Sequence, residues 1–407
     1  MSGPLSGLRV IDLSRILAGP TVTQIFADMG AEVIKIERPG SGDDTRTWGP
    51  PWLKDKDGND TREAGYYLAA NRGKHSLTLD IASEEGAQIV RDLVKDADFL
   101  VENFKVGGLA KMGLDYESLK AVNSGLIYLS ITGFGQTGPD AAKPGYDYLI
   151  QARSGLMSIT GHEDGAAGEG PMRAGVATSD IQTGLMGTIG LLAALYHREK
   201  TGEGQHIDIA LLDTQITGLV NQGFNYLLSG DVPVRTGSWH PSLAPYQPFA
   251  TADDYIIIAV GNDSQFTDMC RVLGVPDLAS DPRFSANPLR NKNRAALADL
   301  IGEQTRLQPA QHWLKTFAAN NVPAAPINTI DQAFADPQVQ ARGMQLELDH
   351  PVAGPMPGIA NPLKFSKTEL SYEKTPPMLG EDTQDVLSRV LGKSDEEIAD
   401  LQARGIV

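Results

Sequence analysis

An α/β fold, with a parallel-sheet large domain followed by a smaller α+β unit, is predicted by three observations. Over the first 130 residues, apolar runs of strand length alternate with stretches of helical periodicity, the pattern of β-α-β units that stack a parallel sheet between helices. Near residues 230–248 the composition shifts to Pro, Gly and Ser, which marks a crossing between units. The 407 residues, 41% hydrophobic and 21% charged, suffice to bury a core without disulfide or metal staples.

The elements follow in chain order. Residues 8–13 read as a strand, and Gly19-Pro20 opens a helix over 21–29 with Pro in its first turn and Gly30 as its stop. Residues 33–36 form the next strand, ended by Arg38-Pro39-Gly40. A third strand spans 75–81. The helix after it, 83–97, starts on a Ser83 cap with Glu84 and Glu85 in its positive first turn. Strands at 99–102 and 126–132 complete the run, and ligands of such sheets bind beyond the carboxyl ends of the strands. Residues 181–196 are apolar almost all round, which predicts a buried helix whose small residues allow close packing. Residues 206–212 alternate like a strand. Beyond the crossing come a strand at 255–260 and helices at 265–273, 294–304 and 309–320. The last helix, 394–404, starts with Ser394-Asp395-Glu396-Glu397, a capping box.

Charge and cysteine usage exclude several function classes. Lys and Arg total 35 against 51 Asp and Glu, a net charge of −16, so nucleic acid and anionic membrane surfaces are poor partners. The imbalance is uneven: residues 1–111 carry 14 basic and 17 acidic side chains, so a small anion is expected to meet the N-terminal third. Cys270 is the single cysteine, which rules out a disulfide framework and a cysteine-based zinc site. The segment 1–7 lacks the basic-then-apolar pattern of an export signal, and no apolar run approaches the ~20 residues of a membrane span. A cytoplasmic location is expected.

Familiar site motifs fail one by one. The first strand–helix loop, Ser14-Arg15-Ile16-Leu17-Ala18-Gly19-Pro20, has one of the three glycines that a dinucleotide pyrophosphate requires. The seven histidines are too dispersed for a shared helix face, so no metal is expected. Ser371-x-x-Lys374 and Lys200-Thr201-Gly202 mimic a β-lactamase pair in letters but stand in the wrong order. What remains is Thr178-Ser179-Asp180 before the apolar helix. It reads either as a plain helix cap or as a carboxylate kept ionised by the helix N-terminus, a nucleophile that needs no general base.

The whole chain resembles the class III CoA-transferases, the CaiB/BaiF or formyl-CoA transferase family. The matching segments are residues 5–13, Ala18-Gly19-Pro20, residues 30–40, Asn71-Arg72-Gly73-Lys74-His75-Ser76, Val101-Glu102-Asn103-Phe104, residues 131–139, residues 200–205 and residues 376–381. The resemblance implies that Asp180 is the catalytic aspartate. It places CoA contacts on Ile16, Leu17, Arg38, Asn71, Arg72, Gly73, Lys74, Asn103, Phe104, Lys105, Lys111, Gly145, Tyr146 and Asp147, with Arg38, Lys74, Lys105 and Lys111 near the CoA phosphates. It further implies no tightly bound cofactor, a CoA thioester as substrate, and a Rossmann-like large domain of residues 1–229 and 331–407. A small domain at 230–330 and an interlocked-ring homodimer complete the picture.

Substrate expectations rest on departures from family patterns. Acyl-CoA racemases of the superfamily carry Gly-His-Asp where this chain has Gly145-Tyr146-Asp147, so a two-base proton exchange lacks a partner. Oxalate-using formyl-CoA transferases have a long glycine-rich loop where this chain has the shorter residues 237–249. With residues 43–51, that segment looks closest to succinyl-CoA:glutarate-type dicarboxylate transferases. A distal carboxylate favours a bidentate cation. Arg46 is the candidate, unless it is a loop ion-pair residue with Asp43 or Asp44, and His240 is a second candidate for the same pocket.

Overall fold

The computed structural model describes residues 3–407, so Met1 and Ser2, the start of the segment read for an export signal, lie outside the described residues. The elements are β1 (Arg9–Asp12), α1 (Ala18–Asp28), β2 (Glu32–Glu37), β3 (Lys74–Thr78), α2 (Glu84–Val94), β4 (Phe99–Glu102), β5 (Ile127–Thr132), α3 (Asp147–Arg153), α4 (Thr178–Thr201), β6 (His206–Ala210), α5 (Leu211–Thr217) and α6 (Val220–Ser229). The second unit contributes β7 (Tyr246–Ala250), β8 (Tyr255–Ala259), α7 (Asp263–Val272), α8 (Arg294–Thr305), α9 (Ala310–Ala319) and β9 (Ala324–Pro326). The chain closes with β10 (Gln345–His350), β11 (Gly354–Ile359), α10 (Thr383–Leu391) and α11 (Asp395–Ala403).

In the first unit six strands form a wholly parallel sheet of order β3-β2-β1-β4-β5-β6. The order reverses between β1 and β4, so the loops leaving their carboxyl ends splay apart and open a crevice. Alternation along each strand feeds two cores. Val10, Val33, Phe99, Val101, Ile127 and Leu129 face α1 and α4. Ile11, Ile34, Leu77, Leu100 and Tyr128 face α2 and the C-terminal helices α10 and α11. The Ser83 hydroxyl accepts from Gly86 N at the start of α2, and both halves of the Ser394/Glu397 capping box are present on α11.

Helix α4 departs from expectation. Gly184 packs so tightly on α1 that a Cβ there would lie 3.0 Å from the Ala18 oxygen, but the helix is not buried all round. Leu185, Met186, Ile189 and Tyr196 are exposed, Ile189 by 57%. An apolar sequence does not say which of its faces the fold covers; in this chain one stripe of the helix is covered and the other is open.

The second unit is a three-stranded antiparallel sheet of order β9-β8-β7. Phe249, Ile256 and Ile258 pack there with Phe266, Met269, Cys270, Trp313 and Phe317. Cys270 is fully buried, its thiol pushed up to about 11 by desolvation. The boundaries differ from those expected: the second unit comprises Met157–Arg173 as well as Asp231–Pro337, and the first includes Gln338–Val407. Local bonding explains the extra segment, since Arg235 donates to the His162 oxygen and pairs with Asp164. Among the described residues no helix is long and apolar enough to cross a membrane.

Candidate active site

The loops after β1, β2 and β4 enclose a cavity of about 410 Å³, lined by Leu13, Ser14, Arg15, Arg38, Asp43, Phe104 and Lys105 among others. Arg38 and Lys105 are exposed and make no ion pair among the described residues, so their charges are available to a ligand. Lys111 is also exposed, on a short turn after the β4 loop. Leu17 caps α1, and Ile16 stands before it at φ 73°, a conformation that a β-branched residue rarely adopts.

Several cations expected at the ligand are instead spent inside the fold. Lys74 is fully buried, with Nζ donating to Asp12 (3.1 Å), the Pro20 oxygen (3.1 Å) and Asn71 Oδ1 (2.9 Å). Desolvation lowers its ammonium to about 8. Arg72 forms a two-pronged pair with Asp28 at 2.8 and 2.7 Å. Asn71 donates to the Tyr67 oxygen, and Gly73 turns the chain at φ 77°. The segment 71–74 therefore bolts α1 and β3 to their neighbours, and its side chains are not free for phosphate.

Arg46 is likewise corrected. It is 4% exposed, and its guanidinium donates to Glu37, Glu63, the Tyr67 hydroxyl and the Pro377 oxygen. All three of its guanidinium nitrogens are bonded inside the fold rather than turned to a substrate carboxylate, and its ion-pair partners are Glu37 and Glu63 rather than Asp43 or Asp44. His240 belongs to the second unit, where its Nδ1 accepts from Ser242 N and Leu243 N, both at 3.1 Å.

Asp180 is the third residue of α4. The helix cap does not come from Thr178-Ser179-Asp180. It is supplied by Asp147 from the start of α3, whose Oδ1 accepts from Ser179 N at 2.8 Å while Oδ2 accepts from Gln151 Nε2 at 2.7 Å. Asp147 can reach this position because Gly145 lies against Gly133; a Cβ on Gly145 would sit 2.1 Å from the Gly133 Cα. Tyr146 beside it is exposed. Ser179 donates its hydroxyl to Gln215 on α5 at 2.9 Å.

Among the described residues Asp180 makes no ion pair. Burial first, and then the charge of Asp147, push its carboxyl up to about 7, outweighing the helix N-terminus that would hold it ionised. Sequence reasoning missed Tyr66. It is half-buried and packs edge-on against Trp48 at 5.3 Å. Burial first, then the charges of Asp180 and Asp147, raise its phenol above the ordinary range. Nothing local in the sequence marks it, because its position depends on the fold around residues 48–68. Among the described residues no cluster of metal-ligating side chains occurs.

Comparison with known proteins gives the same direction throughout. The model of CoA-transferase family III matches residues 5–383. The succinate–glutarate CoA-transferase of Agrobacterium fabrum is 50% identical, over 95% of this chain and 96% of its own. The human succinyl-CoA:glutarate CoA-transferase is 41% identical over 99% of this chain and 90% of its own. Among solved structures, a CaiB/BaiF family protein from Brucella suis superposes with a TM-score of 0.85 at 48% identity, covering 96% of this chain and 100% of that one. A family match along nearly the entire length, and relatives 41–50% identical over almost all of both chains, lead to one conclusion: the chain belongs to CoA-transferase family III.

Proposed function

We propose that this CoA-transferase moves CoA from succinyl-CoA to a dicarboxylic acid, with Asp180 as the nucleophile. The observation that carries this reading is the Asp180 carboxyl itself, desolvated on the first turn of α4 with no paired cation and pushed up to about 7. Desolvation strips water from the attacking oxygens and so raises their reactivity. The ionised Asp180 attacks the acyl carbon and CoA thiolate leaves, giving an aspartyl–succinyl anhydride. The thiolate then attacks the Asp180 carbonyl, which releases succinate and leaves an aspartyl-CoA thioester. The acceptor carboxylate repeats both steps in reverse. No proton is gained or lost overall, so neither a metal nor a strong base is required. The Tyr66 hydroxyl stands near the reacting carboxyl as a donor for the tetrahedral oxyanions.

In the same reading Arg38, Lys105 and Lys111 face the CoA phosphates, the backbone of Ile16 and Leu17 and the Phe104 ring line its path, and no cofactor is held permanently. The dicarboxylate assignment is supported by the relatives named above, which are glutarate transferases. Assembly as an interlocked homodimer is supported by the exposed apolar faces of α4 and α6, where Leu185, Ile189, Phe224 and Leu227 stand open. A cytoplasmic setting suits a chain with one buried cysteine.

The test is a transfer assay with succinyl-CoA against mono- and dicarboxylates, oxalate included, read by mass spectrometry. Transfer to glutarate-like acids is expected, with Asp180→Asn reduced at least ~10³-fold. Undiminished transfer by that variant would sink the nucleophile, and transfer to monocarboxylates alone would sink the acceptor class.

A further inference from the structure

The turn between β1 and α1 is held with unusual completeness. Ser14 N and its hydroxyl donate to Asp12 at 2.9 and 2.5 Å, and Lys35 Nζ donates to the Ser14 oxygen at 2.8 Å. Asn103, from the loop after β4, brackets the next residue: its Oδ1 accepts from Arg15 N at 2.9 Å and its Nδ2 donates to the Arg15 oxygen at 2.7 Å. Ile16 N then donates to both oxygens of Asp43 at 3.2 Å. Asp43 is paired with Lys35 at 3.0 Å, and both side chains are fully buried.

These contacts converge on a residue in an unfavourable conformation. Ile16 sits at φ 73°, and a β-branched residue stays there only where its surroundings over-determine it. The turn is also well placed to matter. Ser14 and Arg15 line the 410 Å³ cavity on one side. On the other, the α1 residues that follow support Gly184, one turn beyond Asp180 on α4. A buried ion pair is weak evidence of stability in itself, because desolvating two charges offsets their attraction. Here the pair also holds backbone groups of the turn, Lys35 at the Ser14 oxygen and Asp43 at Ile16 N, while Asp43 further accepts from Thr45 N and the Thr45 hydroxyl.

We propose that Asp43, backed by Lys35, is a positioning residue that keeps the Ile16 turn strained and ready, so that the acyl-CoA meets a preformed wall aligned with Asp180. A turn ordered in advance adds no ordering penalty when the ligand binds. The inference rests on the reading of this cavity as the acyl-CoA site and of Asp180 as the nucleophile.

The test compares wild type, Asp43→Asn and Lys35→Met/Asp43→Leu, each with and without Ile16→Gly, by steady-state kinetics and by calorimetric titration with free CoA. The apolar pair removes the clamp while leaving no unpaired buried charge, so it reports even where Asp43→Asn does not fold. The expected result is a KM for succinyl-CoA about tenfold higher, a parallel loss of CoA affinity and an unchanged KM for the acceptor acid. Ile16→Gly should recover several-fold of that loss, since glycine accepts positive φ freely. A purely structural role would lower the melting temperature without this split. Folded variants with wild-type CoA affinity, or losses that Ile16→Gly does not touch, overturn the proposal. Retained transfer by Asp180→Asn would instead overturn the nucleophile and leave the clamp standing on its CoA titration.

Discussion

Asp147 performs two tasks at one atom pair, and they oppose each other. Its carboxylate accepts from Ser179 N and so fixes the first turn of α4, while its charge makes ionisation of Asp180 harder. In the proposed mechanism Asp180 reacts ionised, and its carboxyl is pushed up to about 7, so transfer at saturating acyl-CoA is expected to rise with pH through that region. Asp147→Asn keeps an oxygen for the cap but removes the charge. The acidic limb should then move to lower pH, stopping short of the ordinary carboxylate range because burial, the larger cause, remains. A pH–rate profile of the two proteins checks this; an unmoved limb would mean that Asp147 does not set the ionisation of Asp180. An acid at the head of a long apolar helix is a local pattern that left Asp180 open between a helix cap and a nucleophile, and only the family resemblance singled it out. The roles of Lys74 and Arg46 were not legible in sequence. Their partners lie at Asp12, Glu37 and Glu63, and no spacing rule tells a lysine beside a phosphate from a lysine folded under a sheet.

At the scale of elements, β1, β2, β4 and β5 fall within a residue or two of their expected bounds, since buried parallel strands read as short apolar runs. The third strand is shorter than expected, ending at Thr78. Helix α4 was legible as a helix but not as a surface, because apolar periodicity does not say which chain provides the cover. Its stripe of Leu185, Met186 and Ile189, with Phe224 and Leu227 on α6, leads to a specific expectation. On the proposed homodimer, Ile189→Asp combined with Leu185→Asp should shift the protein toward monomer and aggregate in sedimentation analysis, with transfer falling in step. A variant that remains a dimer at wild-type concentrations would place the interface elsewhere.

For the molecule as a whole, the interrupted order of the units was partly legible, through the change in composition near residue 230. The excursion of Met157–Arg173 into the second unit was not, as the glycines at 161, 165, 168 and 170 mark a loop but not the unit on which the loop packs. The C-terminal segment has a heavier duty than its position suggests. Val386, Leu387, Ile398 and Leu401 are buried on one face of the central sheet. At about 1.5–3 kcal/mol for each such side chain, their loss rivals the whole stability of a domain. Deleting residues 383–407 should therefore abolish the cooperative thermal transition seen by circular dichroism, and a truncated protein melting like the full chain would contradict it.

The same covering has a consequence in time. Asp80 N donates to the Ile406 oxygen at 2.7 Å, and Arg404 pairs with Glu85, so residues 404–406 close a surface that begins at Ile11. During synthesis a ribosome has to make the whole stretch between Ile11 and α11 before that surface can be sealed. The nascent chain must carry an open apolar sheet face over all that time, and the cell has to shelter that face from other unfinished chains until α10 and α11 emerge.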